Sequence, residues 1–166
     1  CILTSQKNRN GTERCAELIQ TLKLDNSDLI INIQCDEPFL QTKHLKKIIN
    51  LFNSSVKIGT LISPILESEI LDESVVKVKL NKQYTAINFN RIVSNEEETH
   101  ALYKHIGIYG YRKNILLEIS KLITTKRELT EKLEQLRWVE HGYTITCAWI
   151  DENIKSINTK NDIKNL

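Results

Sequence analysis

Methionine is absent from all 166 residues, including position 1. Cys1 is therefore not an ordinary translation start, and a processed or truncated product is expected. Proline occurs twice and glycine five times, which excludes proline-rich linkers, collagen-like repeats and glycine-serine tethers. Cys1, Cys15, Cys35 and Cys147 are scattered and form no C-x-x-C pair. Neither a zinc site nor a disulfide framework is suggested, and reduced thiols in the cytoplasm are the expectation. No apolar run approaches the roughly 20 residues that span a bilayer, and no charged-then-apolar leader is read, so no membrane role is expected. The formal net charge is only +2. No basic stripe with interleaved aromatics marks a nucleic-acid partner. A few local Arg and Lys residues suffice for acidic small molecules.

Helical and extended patterns alternate along the chain. Gly11-Thr12-Glu13-Arg14 opens a helix with Leu18, Ile19 and Leu22 at helical spacing, capped by Asn10 or Thr12. Asp28 to Gln34 is nearly continuously apolar and rich in Ile, as in a strand buried on both faces. Thr42 is expected to cap a helix carrying Leu45, Ile48, Ile49 and Phe52. Strands are predicted around Ile58 to Ile65, at Val76 to Leu80 with Lys77 and Lys79 facing out, and at Tyr84 to Phe89. His105 to Tyr111 reads as a strand leading into a helix from Lys113 to about Leu122. Thr130 is expected to cap a helix with Leu133, Leu136 and Val139 that stops at Gly142. Thr144 to Ile150 is a last strand, and Thr159 caps a short terminal helix. The pattern predicts one α/β domain over residues 1–166, with flanking helices on a mixed, mostly parallel sheet.

Ligands of open α/β sheets sit beyond the carboxyl ends of the strands. Asp36 and Glu37 follow the most apolar strand and are placed to hold a hard divalent cation such as Mg²⁺; equally, Asp-Glu-Pro is an ordinary strand-ending turn. His105, Tyr109 and Tyr111 read as either packed or functional groups on a strand. Glu134 and Gln135 read as a solvated helix face. Arg14 is an uncomfortable cation near a helix start, which a bound phosphate or carboxylate would relieve.

Taken in order, four blocks resemble one family. They are Gly11-Thr12-Glu13-Arg14, Asn32-Ile33-Gln34-Cys35-Asp36-Glu37-Pro38, Tyr103-Lys104-His105-Ile106-Gly107-Ile108-Tyr109-Gly110-Tyr111-Arg112 and Leu133-Glu134-Gln135-Leu136-Arg137. The chain resembles the 3-deoxy-manno-octulosonate (Kdo) cytidylyltransferases along essentially its whole length. The resemblance implies a Rossmann-related, glycosyltransferase-A-like nucleotidyltransferase fold. It also implies joining of CTP and Kdo to give CMP-Kdo and pyrophosphate with Mg²⁺, for lipopolysaccharide synthesis, by a cytoplasmic homodimer. It places Arg14 and Gln34 on the nucleotide, and Asp36 at the catalytic metal. Arg91, His105, Tyr109, Glu134 and Gln135 fall on the sugar acid.

Departures from the family pattern are equally specific. The resemblance begins after the family's opening strand and its glycine- and basic-rich phosphate loop, so the sheet is expected to miss its first strands. Cys35 replaces a glycine, with strain or crowding expected if positive φ is needed there. Asn158 replaces a second metal-binding aspartate, Asn8 a common histidine, and the acidic stretch Ile92 to Glu98 a proline-containing loop. Two alternatives follow from these departures: an inactive sugar-binding or dimerisation module, or a cytidylyltransferase for another acidic sugar.

Overall fold

The computed structural model describes residues 1–93 and 102–164. Helix α1 spans Gly11–Gln20 and strand β1 Leu29–Ile33; α2 (Thr42–Leu51) and β2 (Ile58–Ser63) follow. Next come α3 (Glu67–Ile70), β3 (Lys77–Leu80), β4 (Ala86–Asn90) and β5 (Leu102–Arg112). The chain continues through α4 (Lys113–Ile119), α5 (Lys126–Glu131), α6 (Gln135–Glu140), β6 (Ile145–Trp149) and α7 (Lys160–Lys164).

Strand β5 is the spine of the sheet. Along one edge it pairs with β2, and along the other with β1 through residues 108–112 and with β3 through residues 102–104. Strands β3 and β4 form a hairpin, and β6 lies beside β2. The α/β architecture with flanking helices is as expected, but the strand pairing is not mostly parallel. Four strands (β1, β2, β3 and β6) share a direction, yet β5 is inserted antiparallel among them. Of the described pairings only β2–β6 is therefore parallel.

Side-chain alternation along β5 sorts the core into two layers. Tyr109 and Tyr111 face Trp138 and Leu136 of α6, Leu116 of α4 and Ile19 of α1. Ile106 and Ile108 face Ile48 and Phe52 of α2. Both tyrosine rings meet the Trp138 indole edge-on, with centroids 5.1 and 5.6 Å apart. Such T-shaped packing aligns ring edges with the π faces.

Local chemistry shifts several predicted boundaries. Asn10 caps α1, its side chain accepting from the Glu13 amide at 2.9 Å. Gln41 rather than Thr42 caps α2, and Ile49 faces outward. The predicted helix capped by Thr130 is in fact two. Thr125 and Glu128 form a capping box for α5, Lys132 takes a left-handed φ of 54°, and α6 begins at Gln135. Gly142 ends that stretch at φ 82°, as expected. Lys77 does not face out: it is fully buried, and its ammonium donates to the carbonyl oxygens of Asp72 and Arg91.

Candidate active site

A cleft of about 500 Å³ opens beyond the carboxyl end of β1. It is floored by the middle of β5 and walled by the turn after β1, the segment after β6 and the start of α6. Gln34, Asp36, Arg91, His105, Tyr109, Glu134, Gln135 and Asn158 all line it. Residues separated by more than a hundred positions in sequence meet there.

The wall after β1 is built around Gly107. The Gln34 amide donates to the Gly107 carbonyl at 2.9 Å, and the Gly107 amide donates to Glu37 Oε1 at 2.8 Å. A Cβ on residue 107 would stand 2.7 Å from Gln34 Oε1 and 3.1 Å from Glu37 Oε1. Only glycine lets β5 pass this close to both side chains. Glu37 Oε1 also accepts from Ser156 Oγ at 2.9 Å. Burial raises the Glu37 carboxyl above its usual range, against the pull of these two donors. Glu37 Oε1 thus joins three segments, while its Oε2 is enclosed without a hydrogen-bond partner.

Asp36 is different. Its Oδ1 is enclosed without a hydrogen-bond partner. The Ile157 amide donates to the Asp36 carbonyl at 2.8 Å, and this brings Asn158 to the same wall. An orphaned carboxylate oxygen and an adjacent amide suit a hard cation that draws its remaining oxygens from water or phosphate. Among the described residues no cluster of three or more His, Cys, Asp or Glu forms a protein-only cage. Cys35 is exposed and has no positive φ, so the anticipated backbone strain is absent.

The opposite wall is a pocket of neutral and cationic donors. The His105 imidazole is buried against Phe89 and Tyr109, with Nε2 2.9 Å from Thr60 Oγ1. Burial and the Arg91 charge push its pKa down to about 3, so the ring is neutral at physiological pH. Arg91 is held by backbone carbonyls: Nε donates to Glu131 at 3.1 Å, and Nη1 to Glu73 at 3.0 Å. Carbonyls orient a guanidinium without cancelling its charge, and among the described residues no carboxylate pairs with it. Burial pushes Glu134 up to about 7, with Thr12 and the Arg137 charge pulling the other way. The Tyr109 hydroxyl and Glu134 Oε2 are enclosed without partners, as polar groups awaiting a ligand or water are.

Arg14 is not brought into this cleft. It is exposed, and its guanidinium donates to Thr4 Oγ1 at 2.9 Å and the Ser5 carbonyl at 3.3 Å. Asn8 bonds Glu17 on the same side. Of the acidic stretch after Arg91, residues 94–98 lie outside the described residues. Sequence reasoning also passed over several cleft residues. Lys104 is buried, with its ammonium on Glu69 Oε1 at 2.7 Å and the Ile154 carbonyl at 2.7 Å. Lys132 and Lys155 add two cations to the lining. The signal for Lys104 was available, because a lysine inside an otherwise apolar and aromatic strand needs a buried partner.

An α/β sheet with a polar cleft beyond its strand ends suits a nucleotidyltransferase, and the match to known proteins shows that class. The chain belongs to the cytidylyltransferase family: the family profile described as "Cytidylyltransferase" matches residues 1–154. It is 35% identical to the 3-deoxy-manno-octulosonate cytidylyltransferase of Parabacteroides distasonis, over 98% of this chain and 70% of that protein. It is 32% identical to the 8-amino-3,8-dideoxy-manno-octulosonate cytidylyltransferase of Shewanella loihica, over 98% and 69%. Among solved structures, a CMP:2-keto-3-deoxy-manno-octonic acid synthetase complexed with CTP superposes with a TM-score of 0.86. That match has 27% identity and covers 99% of this chain and 69% of the other.

Proposed function

We propose that this cytidylyltransferase joins CTP to Kdo, releasing pyrophosphate and supplying an activated sugar acid for lipopolysaccharide synthesis. The observation that supports it best is the two-sided cleft. Gln34, Asp36 and Asn158 stand on one wall, and Arg91, His105, Glu134 and Gln135 on the other. The sugar's anomeric oxygen forms a bond to the α-phosphorus as the bond to the β-phosphate oxygen breaks, and the hydroxyl proton is released. Such transfer depends on positioning and charge neutralisation more than on covalent catalysis.

Each wall has a part that its residues fit. Asp36, through its unpartnered Oδ1, and Asn158, through its carbonyl oxygen, would hold Mg²⁺. Bound there, the ion would supply charge neutralisation to the phosphates. Gln34 offers an amide to the nucleotide, while Lys132 and Lys155 raise the positive potential of the cleft. Arg91 receives the sugar's carboxylate, and charge-assisted bonds of this kind fix orientation as well as affinity. His105, neutral at physiological pH, lines the cleft and hydrogen-bonds a sugar hydroxyl. Glu134 and Gln135 complete the hydroxyl recognition. Exposed Ile87, Ile123 and Leu129 offer apolar contact area for a homodimer, which sizing by light scattering would test.

Pyrophosphate release from CTP and Mg²⁺ on adding Kdo is the deciding assay. Release with Kdo supports the proposal. Release only with the 8-amino sugar, the acceptor named for the Shewanella relative, would move the specificity. The absence of release with either sugar would favour a sugar-binding module without turnover.

A further inference from the structure

We infer that Thr60 is a positioning residue that fixes His105 as its Nε2–H tautomer, so that Nδ1 presents a hydrogen-bond acceptor to the cleft. The part concerning substrate rests on the proposed function; the tautomer itself does not.

The sheet is irregular between β2 and β5. Thr60 pairs with Tyr109, but the next residue of β2, Leu61, pairs with Ile106. Gly107 and Ile108 therefore bulge out of the β2 ladder, and bulges re-aim backbone and side chains beside functional sites. Thr60, fully buried, fills the gap. Its Oγ1 lies 2.8 Å from the Ile108 carbonyl, 3.4 Å from the Ile106 carbonyl and 2.9 Å from His105 Nε2.

Proton counting decides the roles. A threonine hydroxyl has one proton and two lone pairs, and a carbonyl only accepts. The proton goes to Ile108, the nearer of the two carbonyls. What Oγ1 then turns toward Nε2 is a lone pair. Two lone pairs 2.9 Å apart repel, so Nε2 carries the hydrogen and donates to Thr60. A neutral imidazole holds one N–H, so Nδ1 is bare. Among the described residues Nδ1 has no protein partner, and it is not among the enclosed unpartnered atoms of a ring that lines the cleft. The acceptor is open to a ligand.

An acceptor at this point selects a hydroxyl that donates. A sugar acid carrying fluorine or an ether at the matching carbon fills the same space but brings no proton, and is rejected. Thr60 touches no substrate in this scheme; it acts through the orientation and protonation of His105.

The test is ¹⁵N–¹H correlation of the chain labelled with [¹⁵N]histidine at neutral pH, with the His105→Gln spectrum assigning its ring among four histidines. The expected result is Nε2 protonated and Nδ1 bare in the unsubstituted chain and in Thr60→Ser, with an Nδ1–H population appearing in Thr60→Val. A protonated Nδ1 in the unsubstituted chain overturns the inference even if Thr60→Val does not fold. An unchanged tautomer in a folded Thr60→Val overturns it too. In kinetics, Thr60→Val raises KM for the sugar acid roughly tenfold, the scale of one lost hydrogen bond. The KM for CTP stays within about twofold on the same scale, and Thr60→Ser restores both. If no sugar acid turns over, the proposed function fails while the spectrum still decides the tautomer.

Discussion

The Ile157 amide donates to the Asp36 carbonyl at 2.8 Å, tying the segment after β6 to the turn after β1. This one backbone bond puts Asn158 and Asp36, 122 residues apart in the numbering, on the same wall. It turns a sequence substitution into a structural expectation. Asn158→Asp adds a full negative charge opposite the proposed cation and is expected to lower the Mg²⁺ concentration for half-maximal activity about tenfold, or about 1.4 kcal/mol. Titration calorimetry with Mg²⁺ alone gives the same answer without turnover. Unchanged affinity by both measures would remove Asn158 from the metal site.

Arg91 is aimed by carbonyls, and among the described residues its guanidinium has no carboxylate partner. Arg91→Ala is expected to raise KM for the acidic sugar by at least about tenfold, consistent with losing a charge-assisted hydrogen bond. KM for CTP should change far less. Arg91→Lys should recover little, because one ammonium cannot reproduce both the Nε anchor on Glu131 and the Nη1 anchor on Glu73. Equal losses for both substrates would mean that Arg91 supports the whole cleft.

Glu134 and His105 give the fold opposite pH slopes within one cleft. Burial raises Glu134 from its ordinary 4.5 to about 7 in the folded chain. Its contribution is full below 4.5 and is lost as pH rises through about 7. His105 is lowered from 6.5 to about 3, so its contribution is full above 6.5 and is lost as pH falls toward 3. Urea unfolding from pH 3 to 9 should show Glu134→Gln removing a fall in stability between pH 4.5 and about 7, and His105→Gln removing a rise between about pH 3 and 6.5, the two opposing each other where these windows overlap. A Glu134→Gln curve parallel to that of the unsubstituted chain between pH 4.5 and 7 would contradict the burial argument.

Arg137 is fully buried, with Nη2 3.1 Å from Glu128 and Nη1 3.7 Å from Glu13. Removing one partner leaves charge stranded in the core, and Glu128→Leu is expected to cost about 3 kcal/mol. The double variant Glu128→Leu with Arg137→Met should lose less than Glu128→Leu alone, because a matched apolar pair replaces an uncompensated ion. Additive losses in a denaturant double-mutant cycle would show that Glu128 and Arg137 are not energetically coupled and would overturn this reading.

Glu37→Gln and Glu37→Ala separate a structural from a catalytic part for this residue. The amide oxygen of Gln still accepts from Gly107 and Ser156, whereas Ala leaves a buried amide unpaired, at about 1–3 kcal/mol. Melting curves should place Gln near the unsubstituted chain and Ala well below it. If Gln and Ala melt alike, Glu37 does not hold the bulge.

Short-range chemistry was legible in the sequence. Asn10 beside Gly11 marked the start of α1, Gly142 the stop after α6, and the Ile-rich runs the strands, because caps and side-chain periodicity are local properties; β1, however, is half-buried with Ile33 exposed, not buried on both faces as expected. The ordered motif blocks marked the family, and with it the identities of Gln34, Asp36, His105 and Glu134. Tertiary structure decided what depends on contacts distant in sequence. It buried Lys77 against the Asp72 and Arg91 carbonyls, split one predicted helix at Lys132, and inserted β5 antiparallel among strands that share a direction. It turned Arg14 away from the cleft toward Thr4, and it gave Glu37 Oε1 to Gly107 while leaving Glu37 Oε2 and Asp36 Oδ1 without partners. The physical reason is the same in each case. A buried amide or ammonium must find an acceptor wherever the packed chain supplies one, and the spacing of residues along a sequence does not say where that is.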